Sequence, residues 1–304
     1  MAEPGLILVT GAGGGVGGVG GKVVALLRQR GRAVRAMAHH DDDRADALRA
    51  VGADVVVGDL TRPADVAAAL GSVQRLFFSM SLAPSYLEAA ATVATVAQAV
   101  GNLDALVAIS QMTVSQMNAL SMSESHHQRL HWLSEQVLKW SGLPVVYVRP
   151  TIFMDSPLFT TAAARSIADS GTIRFPFGTG RTSPIATDDV ARVVATVLTD
   201  PGPYIGRALE LTGPRSQDMN GVAEEYARAL GRPVSYVDVP PEKWAKAIEA
   251  AGLGSYVDEH LVTVARLHRE NRYDRMTTTV EEITGRPAES VEEFVTRHRD
   301  LFAE

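Results

Sequence analysis

Short apolar runs alternate with longer amphipathic stretches along the first half of the chain. The short runs favour strands buried on both faces, and the stretches favour helices because their apolar residues recur every three to four positions. Strands are predicted at 6–9, 33–38, 54–58, 74–79, 103–110 and 144–149. Helices are predicted from about Val23 to Leu27 and at 44–51, 61–70, 85–99 and about 126–140.

This alternation of strands and helices indicates an α/β fold with a parallel, doubly wound sheet. From Pro150 onward the order is less regular. Strands are predicted there at 172–175, 208–212 and 234–239, and helices at 188–198, 219–230, 242–250, 257–271 and 291–301. We expect this second half to cap the C-terminal edge of the sheet, where doubly wound folds bind their ligands.

A glycine-rich turn lies between the first strand and the first helix, which is the order that a dinucleotide site requires. Glycines leave room for a pyrophosphate to reach backbone N–H groups at the start of the helix. The alternative interpretation is that these glycines form a flexible linker. Three registers are possible: Gly11, Gly14 and Gly17; Gly14, Gly17 and Gly20; or Gly13, Gly15 and Gly18. The spacing of the apolar residues that follow favours the first register, with a helix that begins near Gly15. Those apolar residues are Val16, Val19, Val23 and Leu27.

Composition and charge narrow the class of protein. The chain has 304 residues, 46% of them hydrophobic, which is ample for a core and allows one large domain or a domain with a smaller lobe. It contains no cysteine, so we expect no disulfides. It also shows no secretory signal pattern and no apolar run of about 20 residues, so we expect a soluble, cytoplasmic protein without membrane contact. A net charge of −6 without a basic cluster argues against nucleic acid as a partner.

Further motifs lie at strand ends and on one predicted helix. They are Val9-Thr10-Gly11-Ala12, Gly58-Asp59-Leu60, Ile109-Ser110-Gln111-Met112, the segment 129–135, and Val148-Arg149-Pro150-Thr151. The chain resembles the NmrA-like group of atypical short-chain dehydrogenases/reductases in these motifs. The resemblance extends over nearly the whole chain, through Thr187-Asp188-Asp189 and the segment 282–287. The resemblance implies a Rossmann domain over 1–150 that binds NAD(P), and a smaller α/β substrate lobe over 151–304 that is interleaved with the last Rossmann elements.

The chain departs from the family pattern after the glycine turn. Between Val16 and Gly31 it is about three residues longer than we expect, which is nearly one helical turn. We expect extra helix to absorb these residues; if the loop is longer instead, the phosphate contacts move to Gly17 and Gly20.

The end of the second strand bears on the choice between NADP and NAD, because an acidic residue there binds the ribose hydroxyls and repels a 2′-phosphate. Ala38 stands at that position, His39 follows where many relatives carry Arg, and Arg44 is close behind. NADP is therefore favoured over NAD, although the acidic run at 41–43 counts against it. The histidines and aspartates of 39–43 are interpreted as a solvated turn, and no metal site is predicted.

Asp59 corresponds to the family position beside the adenine; the alternative is an aspartate that caps the following helix. Other residues at strand ends and in the glycine turn are assigned to the cofactor with it. These are Thr10, Gly11, Gly14, Gly15, Val16, Gly17, Leu60, Ser79, Met80, Ser110, Pro150, Thr151 and Phe153.

The usual short-chain reductase uses a Tyr-x-x-x-Lys pair and a serine. Ser110 is in the serine position, but the pair is missing, and His127 and His131 have its spacing on one helix face. Either imidazole is a candidate proton donor. The alternative for His131 is a hydrogen bond to substrate or to a backbone carbonyl, and Glu135 either orients His131 or lies in solvent.

The residues after the strands predict a pocket for a flat or aromatic substrate, lined by Ser81, Gln111, Met112, His131 and Phe153. We expect an NAD(P)H-dependent oxidoreductase that transfers hydride to a small conjugated or aromatic acceptor of the quinone, enone or azo type, because such acceptors delocalise the arriving charge. Family members also include proteins that bind NADP without turnover, so an NADP-sensing regulator with a protein partner is one alternative. A non-redox tailoring enzyme that retains the cofactor is another, and a homodimer is possible.

Overall fold

A computed structural model of the chain describes residues 5–14 and 18–302. The chain divides into two compact units. The first contains Met1–Gln111, Leu130–Arg149 and Val190–Leu209, and the second contains Met112–Arg129, Pro150–Asp189 and Glu210–Glu304. The predicted assignment of a cofactor domain to 1–150 and a substrate lobe to 151–304 concerns function and stays a prediction.

The strands within the described residues form two sheets. They are β1 (Leu6–Val9), β2 (Val34–Ala38), β3 (Asp54–Val57), β4 (Val73–Phe78), β5 (Ala105–Ile109), β6 (Val145–Pro150), β7 (Thr172–Phe175), β8 (Ala208–Leu211) and β9 (Ser235–Asp238). A seven-stranded sheet has the order β3-β2-β1-β4-β5-β6-β8, and its neighbours from β3 to β6 are paired in parallel. In the second unit β7 pairs in parallel with β9. The predicted doubly wound α/β fold is confirmed.

Helices α1 to α5 alternate with strands β1 to β6 of the large sheet, and the later helices are less regularly placed. The helices are α1 (Val19–Gln29), α2 (Asp43–Ala50), α3 (Pro63–Leu70), α4 (Tyr86–Val100), α5 (His126–Trp140), α6 (Ala164–Ser170), α7 (Thr187–Thr199), α8 (Met219–Leu230), α9 (Pro241–Ala250), α10 (Ser255–Arg269), α11 (Thr279–Thr284) and α12 (Val291–Arg297). A π-helical stretch, Leu158–Ala163, leads directly into α6, and short 3₁₀ turns span Met112–Gln116, Gly202–Tyr204 and Arg299–Phe302. No helix in the part of the chain covered by the structure has both the length and the apolar character needed to cross a membrane.

The centre of the sheet is the core of the first unit. Ile7 and Val9 of β1, Phe77 of β4 and Leu106 of β5 are 0% exposed, as expected for parallel strands with both faces covered. One face of α1 is also fully buried, through Val23, Val24 and Leu27. The apolar patch that follows the glycines therefore packs as the sequence pattern indicates.

The first helix begins later than predicted. It starts at Val19 rather than near Gly15, and Gly18 before it has a φ of +54°, a left-handed conformation that does not continue into a right-handed helix. Gly15, Val16 and Gly17, which the sequence assigns to the cofactor, lie outside the described residues.

Two glycines allow very close backbone contacts around this turn. Gly11 has a φ of +65°, and a Cβ on it would lie 2.7 Å from the Ser79 carbonyl oxygen at the end of β4. Gly20 lies in the first turn of α1, where a Cβ would be 2.7 Å from the Gly11 carbonyl oxygen and 2.9 Å from the Ala12 Cα. Helix α1 thus approaches the end of β1 at a distance that only glycine permits.

We predict that Gly20→Ala lowers the free energy of unfolding by about 1–3 kcal/mol, because backbone atoms must move to admit the methyl group. Intrinsic helix propensity alone would act in the opposite direction by about 1 kcal/mol. The measurement is urea unfolding followed by circular dichroism.

Gly21→Ala is the matched control for this prediction. It gains the same helix propensity, but its Cβ would meet one backbone oxygen, that of Ala12, at the longer distance of 3.2 Å. Gly21→Ala should therefore be the more stable of the two variants. Equal stability of the two would contradict the close-contact account.

Candidate functional site

A cavity of about 590 Å³ lies in the first unit, at the carboxyl ends of β1, β2, β3 and β4. Sites of doubly wound sheets lie at this edge. The lining residues come from the glycine turn and from the segments that follow the strands. They are Gly11, Gly13, Gly14, Met37, Ala38, His39, His40, Asp42, Arg44, Gly58, Asp59, Leu60, Thr61, Ser79, Met80, Ser81, Ala83, Ser85 and Glu88.

The glycine turn is fastened to β4 beside this cavity. The Thr10 hydroxyl donates to the Ser79 carbonyl oxygen at 2.8 Å and accepts the Ser79 N–H at 2.9 Å. Thr10 is 1% exposed, so its side chain secures the turn rather than facing the cavity. A Cβ on Gly13 would meet no atom closer than 3.9 Å, so this glycine borders open space. A turn without side chains beside open space is what a pyrophosphate group requires.

Asp59 stabilises its own turn after β3. Its Oδ1 accepts both the N–H and the hydroxyl of Thr61 at 2.8 Å, and these hydrogen bonds, with a smaller contribution from the charge of His39, lower the pKa of the carboxyl group. The following helix α3 begins at Pro63 without a side-chain cap. The alternative that Asp59 caps this helix is therefore wrong, and its ionised carboxylate lies on the cavity wall.

Basic and acidic side chains meet where β2 ends. The Arg44 guanidinium donates to Oδ2 of Asp42, from Nε at 3.0 Å, and to the Gly13 carbonyl oxygen, from Nη1 at 3.0 Å. Hydrogen bonding to Arg44 lowers the pKa of Asp42 to about 2. His39 and His40 are exposed beside them, with ring centroids 4.4 Å apart. Two of the predicted cofactor residues, His39 and Arg44, thus share one wall of the cavity.

The chain matches the family model described as NAD(P)H-binding over residues 14–201, more than half of its length. The chain belongs to this NAD(P)H-binding family. It is 30% identical to the NAD(P)H azoreductase of Xenophilus azovorans over 291 residues, 95% of this chain and 97% of the relative.

Two solved structures extend this finding at the level of the fold. An NADPH-dependent quinone oxidoreductase from Escherichia coli, complexed with NADPH, superposes with a TM-score of 0.82 at 22% identity, covering 96% of this chain and 99% of that one. The negative transcriptional regulator NmrA in complex with NADP superposes with a TM-score of 0.78 at 17% identity, covering 97% and 95%. The predicted membership of an NAD(P)-binding family is confirmed, and the expected likeness to NmrA holds at the level of the fold.

In this member of the NAD(P)H-binding family, the end of β5 carries the predicted serine. Ser110 is 4% exposed, and its hydroxyl has no hydrogen-bond partner among residues 5–14 and 18–302. Tyr86 donates its hydroxyl proton to the Ile109 carbonyl oxygen at 2.9 Å, and its ring lies 4.1 Å from that of His131, centroid to centroid. Burial, with a contribution from Glu135, raises the pKa of Tyr86. The sequence reasoning missed Tyr86, because it stands at the start of a helix and outside every motif.

Glu135 does not lie in solvent. It is 5% exposed and accepts hydrogen bonds from Arg149 of β6, from Nε at 3.0 Å and from Nη2 at 2.5 Å. This bidentate ion pair fastens α5 to the sheet. The charge of Glu135 is thus compensated by an arginine within the same unit.

His127 lies in the second unit, in a cluster of aromatic and imidazole rings. Its Nδ1 is 2.9 Å from the Tyr256 hydroxyl, and its ring centroid is 5.1 Å from that of His260. Burial, followed by the charges of His260 and His126, lowers the pKa of His127 to about 3. His127 is therefore a neutral imidazole at physiological pH.

The start of α5 is held within the same cluster. Ser125 accepts the Gln128 N–H on its hydroxyl at 3.1 Å, and Gln128 accepts the Ser125 N–H on its amide oxygen at 2.9 Å, which is a reciprocal cap. Nδ1 of His260 lies 2.7 Å from the same Ser125 hydroxyl. Burial lowers the pKa of His260 to about 4.

The other predicted residues are placed as follows. Met112 is 1% exposed in the 3₁₀ turn after β5, Thr151 is 5% exposed, Pro150 is buried, and Gln111 and Phe153 are half-buried. No group of three or more His, Asp or Glu side chains with an arrangement suited to a metal ion occurs in the described part of the chain.

We predict that His127 makes the stability of the protein fall on acidification. Its folded-state pKa lies below the unfolded value of about 6.5, so the unfolded state binds the additional proton and stability is lost as the pH falls below about 6.5. At pH 5 the loss attributable to His127 is about 2 kcal/mol. Urea unfolding of wild type and His127→Gln at pH 8 and at pH 5 measures it.

The variant should show a decrease between the two pH values that is about 2 kcal/mol smaller than that of wild type. His126→Gln, at the exposed neighbouring position, is the matched control. An unchanged decrease in His127→Gln would disprove the assignment.

Proposed function

We propose that the chain is an NADPH-dependent reductase that transfers a hydride to a small conjugated or aromatic acceptor of the quinone, enone or azo type. The observation that carries the proposal is the cavity in the first unit, where the glycine turn meets the carboxyl ends of β2, β3 and β4. Membership of the NAD(P)H-binding family supports the cofactor class. The azoreductase relative and the quinone oxidoreductase of the same fold support the acceptor class.

We assign the pyrophosphate to the glycine turn. Gly11, Gly13 and Gly14 line the cavity, and a methyl group on any of them would enter the turn or the space beside it. Gly15, Val16 and Gly17 belong to the same assignment. The adenine is assigned to Asp59 and Leu60, where the carboxylate can accept a hydrogen bond from the exocyclic amine.

We assign the 2′-phosphate of NADPH to Arg44 and His39. β2 ends at Ala38, so the strand end itself lacks the acidic residue that holds the ribose hydroxyls in NAD-binding sites. A guanidinium matches a phosphate with paired N–H donors. Pairing of Asp41 with Arg49 offsets part of the negative charge of the acidic run at 41–43.

We assign proton delivery to His131 and Ser110, both in the first unit. Bound NADPH supplies the hydride. The reduced acceptor then needs a proton, and the imidazole of His131 is the group proposed to donate it. The Ser110 hydroxyl can orient an acceptor oxygen or nitrogen.

The remaining assignments stay predictions at residue level. For the cofactor they are Thr10, Ser79, Met80, Ser110, Pro150, Thr151 and Phe153, and for the substrate Ser81, Gln111, Met112 and Phe153.

The proposed function predicts that the purified protein oxidises NADPH in the presence of quinones or azo dyes. We expect kcat/KM for NADPH to exceed that for NADH at least about tenfold, because only NADPH carries the phosphate that Arg44 can bind. Loss of absorbance at the reduced nicotinamide band, with product analysis, measures it. Tight NADP binding without turnover on any acceptor would instead favour an NADP-sensing regulator, and failure to bind either dinucleotide would refute the proposal.

We further predict that His131→Ala lowers kcat at least about tenfold with a good acceptor, because proton delivery is lost. The dissociation constant for NADPH should stay within about twofold of wild type, because His131 does not line the cavity assigned to the cofactor's adenosine and phosphates. His131→Asn tests whether any loss comes from packing, and His126→Ala is the exposed control on the same helix. Unchanged turnover in His131→Ala would rule out its role as proton donor.

A further inference from the structure

The Arg44 guanidinium has two hydrogen-bond partners within the protein. Nε and Nη2 donate to the same carboxylate oxygen of Asp42, at 3.0 and 2.5 Å, and Nη1 donates to the Gly13 carbonyl oxygen at 3.0 Å. Asp42, Gly13 and Arg44 all line the cavity. The edge of the guanidinium that a phosphate would use is therefore occupied by a carboxylate.

The two oxygens of Asp42 have separate roles. Oδ1 accepts the Arg44 backbone N–H at 3.1 Å, which caps the start of α2, whereas Oδ2 takes the guanidinium. Capping needs only a hydrogen-bond acceptor, and asparagine caps helices about as well as aspartate. Removing the charge of Asp42 can therefore leave the helix cap in place.

The neighbouring aspartates are placed differently. Asp41 pairs with Arg49 at 2.6 Å, and Asp43 lies in the first turn of α2. Neither residue contributes to the cavity lining found within the described chain, so Asp42 is the member of the acidic run that faces this space. Arg49 also pairs with Asp46 at 2.7 Å and is thus engaged elsewhere.

We propose that Asp42 is a specificity-determining residue that occupies the 2′-phosphate position on Arg44 and must release it when NADPH binds. The inference rests on the proposed function. A phosphate monoester carries nearly two negative charges at neutral pH and competes for the same N–H donors. Once bound, it lies close to the displaced carboxylate, and the two like charges repel each other.

This arrangement lowers the affinity for NADPH without a matching effect on NADH. NADH has a ribose hydroxyl at this point and does not need the guanidinium. The ion pair is partly exposed, with side-chain exposures of 55% for Arg44 and 37% for Asp42, so salt screens both the attraction between Asp42 and Arg44 and the repulsion between Asp42 and the phosphate. Asp42 therefore narrows the difference in affinity between the two dinucleotides.

The test is direct binding of ligands to wild type and Asp42→Asn, measured by calorimetry at low and high salt. NADPH, NADH, adenosine 2′-monophosphate and adenosine 5′-monophosphate are the ligands, and Asp43→Asn is the control with the same change of charge. For Asp42→Asn we expect NADPH and adenosine 2′-monophosphate to bind about 5–30-fold more tightly. NADH and adenosine 5′-monophosphate should change by less than about twofold, and the gain should shrink at high salt.

Arg44→Ala provides a second variant that separates the outcomes. It should weaken NADPH binding, and addition of Asp42→Asn to it should bring no gain that depends on the 2′-phosphate. The inference is overturned if Asp42→Asn and Asp43→Asn change NADPH binding equally. It is also overturned if the wild type binds and oxidises NADPH but Asp42→Asn binds NADPH no more tightly than the wild type does. Absence of dinucleotide binding by wild type would overturn the proposed function as well, which distinguishes the two failures. A thermal melt of Asp42→Asn within about 2 °C of wild type shows that the cap is kept.

Discussion

Backbone-to-backbone contact around the glycine turn is the constraint on which the cavity depends. The Gly11 carbonyl oxygen lies where a side chain on Gly20 would be, and the Ser79 carbonyl oxygen lies where a side chain on Gly11 would be. The Thr10 hydroxyl adds hydrogen bonds between the ends of β1 and β4. Because the turn is fixed in this way between a helix and two central strands, the space beside it is kept free of side chains and suits a bulky anion.

Charged side chains of the first unit form ion pairs, and one of these pairs lies beside the glycine turn. Arg44 joins the acidic loop to the Gly13 carbonyl oxygen, so the cation assigned to a phosphate also connects α2 to the turn. Glu135 and Arg149 form a second pair, buried between α5 and β6. The two pairs differ in exposure: the partly exposed pair can exchange partners with a ligand, whereas breaking the buried pair leaves an uncompensated charge.

Periodicity predicted most of the fold, because buried strands and amphipathic helices impose their spacing on the sequence. The bounds of α5 and α8 agree with the prediction, whereas the start of α1 differs because a run of glycines has no apolar pattern from which to place a boundary. The helix over 158–170 was not predicted, since its π-helical first part departs from the 3.6-residue period. Strand ends indicated which residues line the cavity, but not the Asp42–Arg44 pairing or the packing of Tyr86, which depend on side-chain conformation.

The two candidate histidines show where sequence spacing stops being informative. His127 and His131 are four residues apart on α5, so spacing alone treats them alike. Their surroundings differ: His127 packs with Tyr256 and His260 in the second unit, and burial keeps it neutral. His131 packs against Tyr86, whose hydroxyl is bound to the carbonyl oxygen directly before Ser110. Tyr86 thus links the imidazole of His131 to the carbonyl group that directly precedes Ser110, and this difference in surroundings is the reason for proposing His131 rather than His127 as the proton donor.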